Sequence, residues 1–291
     1  MTTAGAAVLP GTVKSLGSAC SWALFAENSS CPSTFGCLAG YTCFYPCHPW
    51  NPWLKLCKSR MKRLLALALL MACAAPAATA YQKEYIVVSG GVSLYQWEKF
   101  KNPPHDRWWG NFIRPAVTRF QEIRTADPNA RITWLVHRPS YERRLRQNEG
   151  PLTSWISNIA PKYGVKLIWF SSPDTVINYL NAGQPRSQVK IATLDWFLHS
   201  NKAAFMFDYS NEIDSASKSW LHEDELGRIN RGIFARNAVV KSWGCHTGES
   251  MSKKWKRATG VPMIGAVGKT DYAVMYRNNW LPALSSGRWV R

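Results

Sequence analysis

Beyond residue 80 this chain has a single cysteine, Cys245. That stretch therefore holds no internal disulfide and no Cys-x-x-Cys pair, which excludes a thioredoxin-like redox motif and a cysteine-built structural zinc site. Acidic residues are also scarce: 18 Asp and Glu face 36 Lys and Arg, a formal charge of +18. From residue 81 onward the balance is still +13. A surface of that sign attracts polyanions, anionic envelopes or acidic polypeptides, or it serves solubility alone. Long apolar runs are missing too. The one candidate, Leu64–Ala72, is too short for a membrane span, so no transmembrane segment is expected in the mature chain. No internal repeat is present.

The other seven cysteines mark a different region. Cys20, Cys31, Cys37, Cys43, Cys47 and Cys57 sit in residues 1–60, which lack hydrophobic periodicity, and Cys73 follows. Met61-Lys62-Arg63 then opens an apolar core that ends at Ala78-Thr79-Ala80, the pattern of a secretory signal peptide. The expectation is translation from Met61, cleavage after Ala80, and an exported (periplasmic or secreted) protein, with residues 1–60 a non-native upstream extension. The alternative makes residues 1–60 a disulfide-rich module, since six is an even count. Leu70-Met71-Ala72-Cys73 also resembles a lipobox, which would make Cys73 a lipidated first residue.

Residues 81–291 are long enough for one substantial core and are expected to form a single domain. Buried strands are expected at Tyr85–Gly91, Ile132–Val136, Val165–Phe170, Val189–Leu198, Ala238–Val240 and Pro262–Val267. Ala204–Tyr209 could be a hairpin partner. Helical spacing covers Trp108–Arg124, Leu152–Tyr163, Pro173–Leu180, Glu223–Arg236 and the stretch from Gly248 to Ala258. Ser140–Asn148, with Arg138, Arg143, Arg144 and Arg146, reads as a solvated basic face or an anion site. The tail after Asp271 reads as irregular. Strands alternating with helices predict an α/β fold, a three-layer α/β/α sandwich around a mostly parallel sheet.

In such a fold, ligands and catalysts gather at the carboxyl ends of the strands. Cys245 stands there, in Trp243-Gly244-Cys245-His246-Thr247-Gly248, at the mouth of an expected helix whose N-terminus would favour a thiolate. A nucleophilic cysteine needs a histidine within reach. His199 follows the preceding long parallel strand, so neighbouring strands would bring both side chains to one sheet edge. His137, also at a strand end, is the main competitor. His246 adjoins Cys245, but adjacent turn residues tend to point apart. Other thiol and phosphate chemistries fail on spacing. A phosphatase loop needs arginine where Met251 stands, a hydrolase elbow needs glycines where Trp243 and Thr247 stand, and a phosphate loop ending in Gly268-Lys269-Thr270 needs glycine at Met263.

Strand–His199–Ser200, then strand–Gly244–Cys245 after a spacer of 46 residues, resembles the caspase-like cysteine peptidases. The likeness spans Tyr85 to Gly268 and rests on those two motifs. It implies a caspase-like fold in which Cys245 is the nucleophile and His199 the general acid/base. It also implies that the backbone N–H groups of Ser200 and Cys245 hold the oxyanion. The family has Gly at the Ser200 position and often Ala at the Gly244 position, so this chain departs at both. The implied reaction is peptide-bond hydrolysis of a polypeptide substrate, without metal or cofactor. Asp195 and Asp208 would be the acids able to read a basic substrate side chain. The competing reading is a catalytically inactive relative or a basic binding module for an anionic polymer or protein, using twelve tryptophans beyond residue 80. Trp134, Trp169, Trp196 and Trp243 are expected in the core, and the Trp108-Trp109 pair at a recognition surface.

Overall fold

A computed structural model describes residues 81–291 except 101, 103–105, 210, 212, 214 and 215. The six-cysteine stretch, the leader-like segment and His105 lie outside the described residues. The central strands are continuous runs of β-branched and aromatic residues, the pattern of strands covered on both faces. In chain order they are β1 (Gln82–Ser89), β2 (Arg131–His137), β3 (Lys166–Phe170) and β4 (Val189–Phe197). A small three-stranded sheet follows, made of β5 (His199–Ser200), β6 (Ala204–Met206) and β7 (Trp220–His222). Then come β8 (Phe234–Ser242) and β9 (Met263–Val267), the short pair β10 (Thr270–Asp271) and β11 (Ala283–Leu284), and finally β12 (Arg288–Val290).

The main sheet has seven strands in the order β12-β9-β8-β4-β1-β2-β3. All neighbours are parallel except β12, which runs antiparallel to β9. The chain winds from β1 outward through β2 to β3, then crosses to the other side of β1 and winds outward through β4 and β8. The direction reverses between β1 and β4, which opens a crevice at their carboxyl ends. Gly90 and Gly91 end β1 there because neighbours crowd them. A Cβ on Gly90 would lie 2.8 Å from the Leu198 Cβ, and one on Gly91 1.9 Å from the Ser140 Cβ.

Side chains alternate between two apolar clusters. Ile86, Val88, Leu194, Trp196 and Val240 join one cluster, with Val176 and Leu180 of α4 (Pro173–Ala182) and Trp255 of α5 (Met251–Thr259). Val87, Trp134 and Val136 join the other, with Phe120 of α1 (Arg114–Ala126) and Ile156 of α3 (Leu152–Lys162). Both α1 and α4 start with proline in the first turn, where its missing N–H leaves no bond unmade. Between β2 and α3 lies α2 (Arg138–Leu145).

Three local expectations need correction. Glu223–Arg236 is not one helix: 3-10 turns cover Glu223–Arg228 and Arg231–Ile233, and β8 begins at Phe234. Gly227 and Gly232 disfavour a continuous helix, yet Leu226, Ile229, Ile233 and Phe234 are all buried as their spacing predicts. The tail is not irregular throughout, because β12 covers the outer edge of β9. The helix after Cys245 starts at Met251 rather than near Gly248. No helix among the described residues is long and apolar enough to cross a membrane.

Candidate active site

His199 leaves the end of β4 and Cys245 follows the end of β8, and these strands are neighbours in parallel register up to Trp196↔Ser242. Beyond that pair the Trp243 N–H still donates to the Trp196 carbonyl at 2.9 Å. The two turns are then tied directly, since the Ser200 hydroxyl donates to the Cys245 carbonyl at 2.7 Å. A Cβ on Gly244 would lie 2.1 Å from that same Ser200 Oγ. The serine therefore occupies the space that a side chain at 244 would need. The Leu198 carbonyl oxygen lies 2.9 Å from the same point, so side chain and backbone together leave room only for glycine there.

His199 has a partner that the sequence reading missed. Its Nε2 bonds the carboxylate of Asp106. The His199 side chain is 17% exposed and that of Asp106 3%. A carboxylate on Nε2 selects the tautomer protonated there, which makes Nδ1 the ring atom that accepts a proton. Asp106 also accepts the Ser93 N–H at 3.0 Å and the Asn111 side-chain N–H at 3.3 Å. The segment carrying it is pinned by Glu98, which accepts the Asp106 N–H at 2.8 Å. It is pinned again by Arg144, which bonds the carbonyls of Ser93, Asp106 and Arg107 and pairs with Glu149. Arg144 is fully buried, so the basic stretch read as a solvated face contains one arginine with an interior role.

Aromatic rings frame the pair. Phe112 meets His199 edge-on with ring centres 5.0 Å apart and meets Tyr272 in the same way at 4.9 Å. It is held because the Ser89 hydroxyl donates to its carbonyl at 2.8 Å, while the Trp134 indole N–H donates to that hydroxyl at 2.8 Å. Tyr209 packs edge-on to His199 at 4.5 Å. Burial, then the nearby charge of Asp106, then that of Cys245 raise the Tyr209 phenol above its ordinary pKa. Tyr272 is raised well above its own, by burial first and by Cys245 and Asp106 next. Cys245, Asp106, His199 and the two tyrosines are thus one electrostatic neighbourhood.

The half-buried thiol meets Thr270 of β10. The Thr270 N–H points at Sγ from 3.4 Å, its hydroxyl lies 3.4 Å away and its carbonyl 3.7 Å. The expected activation by the following helix needs revision. The N–H groups of Met251 and Ser252 are spent on the carbonyls of Lys202 and Thr247, so the donor at the sulfur is the Thr270 amide. His246, at φ 60°, bonds Glu249 through Nδ1 at 2.6 Å.

The expected anion site calls on the N–H groups of Ser200 and Cys245. Asn201 donates to the Ala204 carbonyl, so in the alternating antiparallel ladder the next pair, Ser200↔Phe205, is the non-bonded one and the Ser200 N–H points away from β6. The Cys245 N–H makes no hydrogen bond to any described residue.

The remaining sequence candidates sit elsewhere. His137 is buried against Phe170 and Phe207, with its Nδ1 2.7 Å from the Ser140 hydroxyl. Burial lowers its pKa to about 4 against the opposing pull of Asp208, so it is a neutral core histidine at pH 7. Asp195 is buried with one carboxylate oxygen on Arg119 Nε at 3.1 Å and the other on the Trp243 indole N–H at 2.9 Å. It steadies the residue two before Cys245. Asp208 is also buried, accepting Ser217, Lys218 N–H and Ser219 N–H, with Arg143 alongside. Neither carboxylate is presented to a substrate. No three His, Cys, Asp or Glu side chains among the described residues are grouped to hold a metal ion.

Of the tryptophans expected in the core, Trp134, Trp196 and Trp243 are buried and Trp169 packs at the edge of a cluster. Trp108 is 43% exposed, while Trp109 packs on Trp155. Compared with protein-family models, with curated proteins and with solved structures, the chain finds no match.

Proposed function

We propose that this protein is an exported cysteine hydrolase of caspase-like type, a three-layer α/β/α sandwich that cleaves peptide bonds with Cys245, His199 and Asp106. The observation that carries the reading is the tie between two adjacent strand ends. One bears a histidine oriented by a buried carboxylate, the other a thiol under a backbone N–H, and Ser200 joins them. The leader-like segment ending at Ala80 supports export.

In the proposed reaction His199 Nδ1 takes the thiol proton, and the Asp106 carboxylate stabilises the resulting imidazolium. The thiolate, with Thr270 N–H at the sulfur, attacks the scissile carbonyl carbon. The negative oxygen forms against the N–H groups of Ser200 and Cys245. The imidazolium then gives its proton to the leaving amine, and a thioester remains on Cys245. Water, deprotonated by His199, cleaves the thioester, releases the carboxylate product and restores the thiol. These steps use only side chains and backbone of the chain itself.

The deciding experiment is alkylation of Cys245 by iodoacetamide across pH 5–9, in the parent and in His199→Ala. A Cys/His pair reacts fast near neutral pH and loses that reactivity without His199. An inert thiol reacts only as pH nears its ordinary value of about 8.5, with or without His199.

A second reading has its own observation. Lys253, Lys256, Arg288 and Arg291, with Glu249 among them, line one groove of about 530 Å3 beside α5, a net basic surface that fits an acidic polymer bound without catalysis. Binding of polyphosphate or heparin that falls steeply with added salt while the thiol stays unreactive would favour it.

A further inference from the structure

Beside the candidate site lies a pocket of about 390 Å3, within the size range of sites for small ligands. Half of its lining residues are aromatic, Trp108, Tyr272, Tyr276 and Trp280, with Met275 buried beneath. Trp108 is 43% exposed, Trp280 39% and Tyr276 58%. Such a concentration of open aromatic surface on one pocket marks a contact site. Two of its lining residues connect it to the candidate cluster. Tyr272 packs on Phe112, which packs on His199, and Asn111 donates to the carboxylate of Asp106.

The backbone is bent to build this wall. Asn279 and Trp280 both hold left-handed φ values, 49° and 61°. Two such residues in succession, the second a tryptophan, are strained, and strain of this kind collects at ligand sites. It sets Trp280 6.4 Å from Trp108, ring centre to ring centre, and places its face 4.6 Å from the Arg114 guanidinium. Among the described residues the charged lining residue is Arg107, and no carboxylate lines the pocket.

Resting on the peptidase reading, we propose that this pocket selects substrates carrying a large aromatic side chain beside the scissile bond. Offset and edge-on contacts with two indoles and two phenols suit an aromatic ring. A lysine or arginine side chain would meet Arg107 and Arg114 without a counter-charge.

Two measurements on the full chain test the pocket. In the first, peptidyl fluoromethyl ketones differing only in the last residue (Trp, Ala, Lys or Asp) label Cys245, followed by mass spectrometry. The tryptophyl probe should react at least ten-fold faster than the alanyl one, with the lysyl probe slowest. Trp280→Ala, or Tyr276→Ala if that variant fails to fold, should bring the tryptophyl and alanyl rates together. A lysyl or aspartyl probe in first place overturns the proposal. So does an aromatic preference that survives the substitution in a folded variant.

In the second, calorimetry on Cys245→Ala compares N-acetyltryptophanamide with N-acetyllysinamide, with no catalysis involved. Tighter binding of the aromatic amide, lost in Cys245→Ala/Trp280→Ala or in Cys245→Ala/Tyr276→Ala, supports the pocket. Equal binding, or none, overturns it. Failure of every ketone to label Cys245 while the aromatic amide still binds sinks the peptidase reading and leaves the pocket standing as an aromatic-binding site.

Discussion

At the residue scale, the arrangement turns on two pairs of side chains. The first is Asp106 and His199. One Asp106 oxygen takes both the Ser93 N–H and His199 Nε2, so an amide oxygen in Asp106→Asn keeps both bonds, but the negative charge that would stabilise the imidazolium is gone and the new N–H meets the Asn111 amide. Labelling of Cys245 by the preferred peptidyl ketone at pH 7 is expected to fall roughly 10²–10⁴-fold, as far as in His199→Ala, with the melting temperature little changed. The second pair is Ser200 and Gly244. Gly244→Ala forces a methyl group into the Ser200 hydroxyl and is expected to cost about 1–3 kcal/mol in urea unfolding. Ser200→Gly should recover part of that loss in the double variant: the Leu198 carbonyl oxygen, 2.9 Å from the same methyl position, stays in place, and the hydrogen bond to Cys245 is lost. Independent, additive effects would mean that the two positions do not share one space.

At the scale of the element, β4 and β8 were legible because each is a run of apolar residues ending in a small polar turn. The stretch that positions His199 was not. Asp106 comes from a segment rich in proline and aromatic residues, with no period to mark its path. It is held by Arg144 on α2 and by Glu98, contacts that only the folded chain brings together. Arg144 was misread for the same reason: beside Arg143 and Arg146 it looks like one more solvated charge, and burial is a property of the helix face, not of the run. The helix expected over Glu223–Arg236 failed differently. Its apolar spacing fits a 3-10 turn followed by a strand as well as an α-helix, and its two glycines weaken the helix. The Arg144 anchor makes a prediction. Glu149→Gln weakens the charge partner of the buried Arg144 guanidinium. It should destabilise the protein by about 3 kcal/mol and speed hydrogen exchange selectively in residues 93–107.

For the molecule as a whole, acid stability follows from His137. Its pKa in the folded protein, about 4, lies below the unfolded value of 6.5 because burial disfavours the charged ring. The folded state therefore resists a proton that the unfolded chain accepts. This contribution is whole above pH 6.5, declines as pH falls, and is fully lost only below pH 4. It amounts to on the order of 3 kcal/mol. In urea titrations between pH 7 and 4, His137→Asn, which keeps a polar group near Ser140, should lose less stability than the parent. An identical slope in the two proteins would show that other groups govern the acid transition.

The contact between Ser200 and Gly244 also limits how sequences of this design can change. A methyl group at 244 would meet the Ser200 hydroxyl at 2.1 Å and the Leu198 carbonyl oxygen at 2.9 Å. Glycine at 200 clears the first obstacle and leaves the second, so alanine at 244 needs two changes: a smaller residue at 200 and a small shift of the turn after β4. A lineage that acquires alanine there must first pass through glycine at both positions, where the two turns lose the hydroxyl that ties them. The passage is open but runs through the loosest form of the two turns.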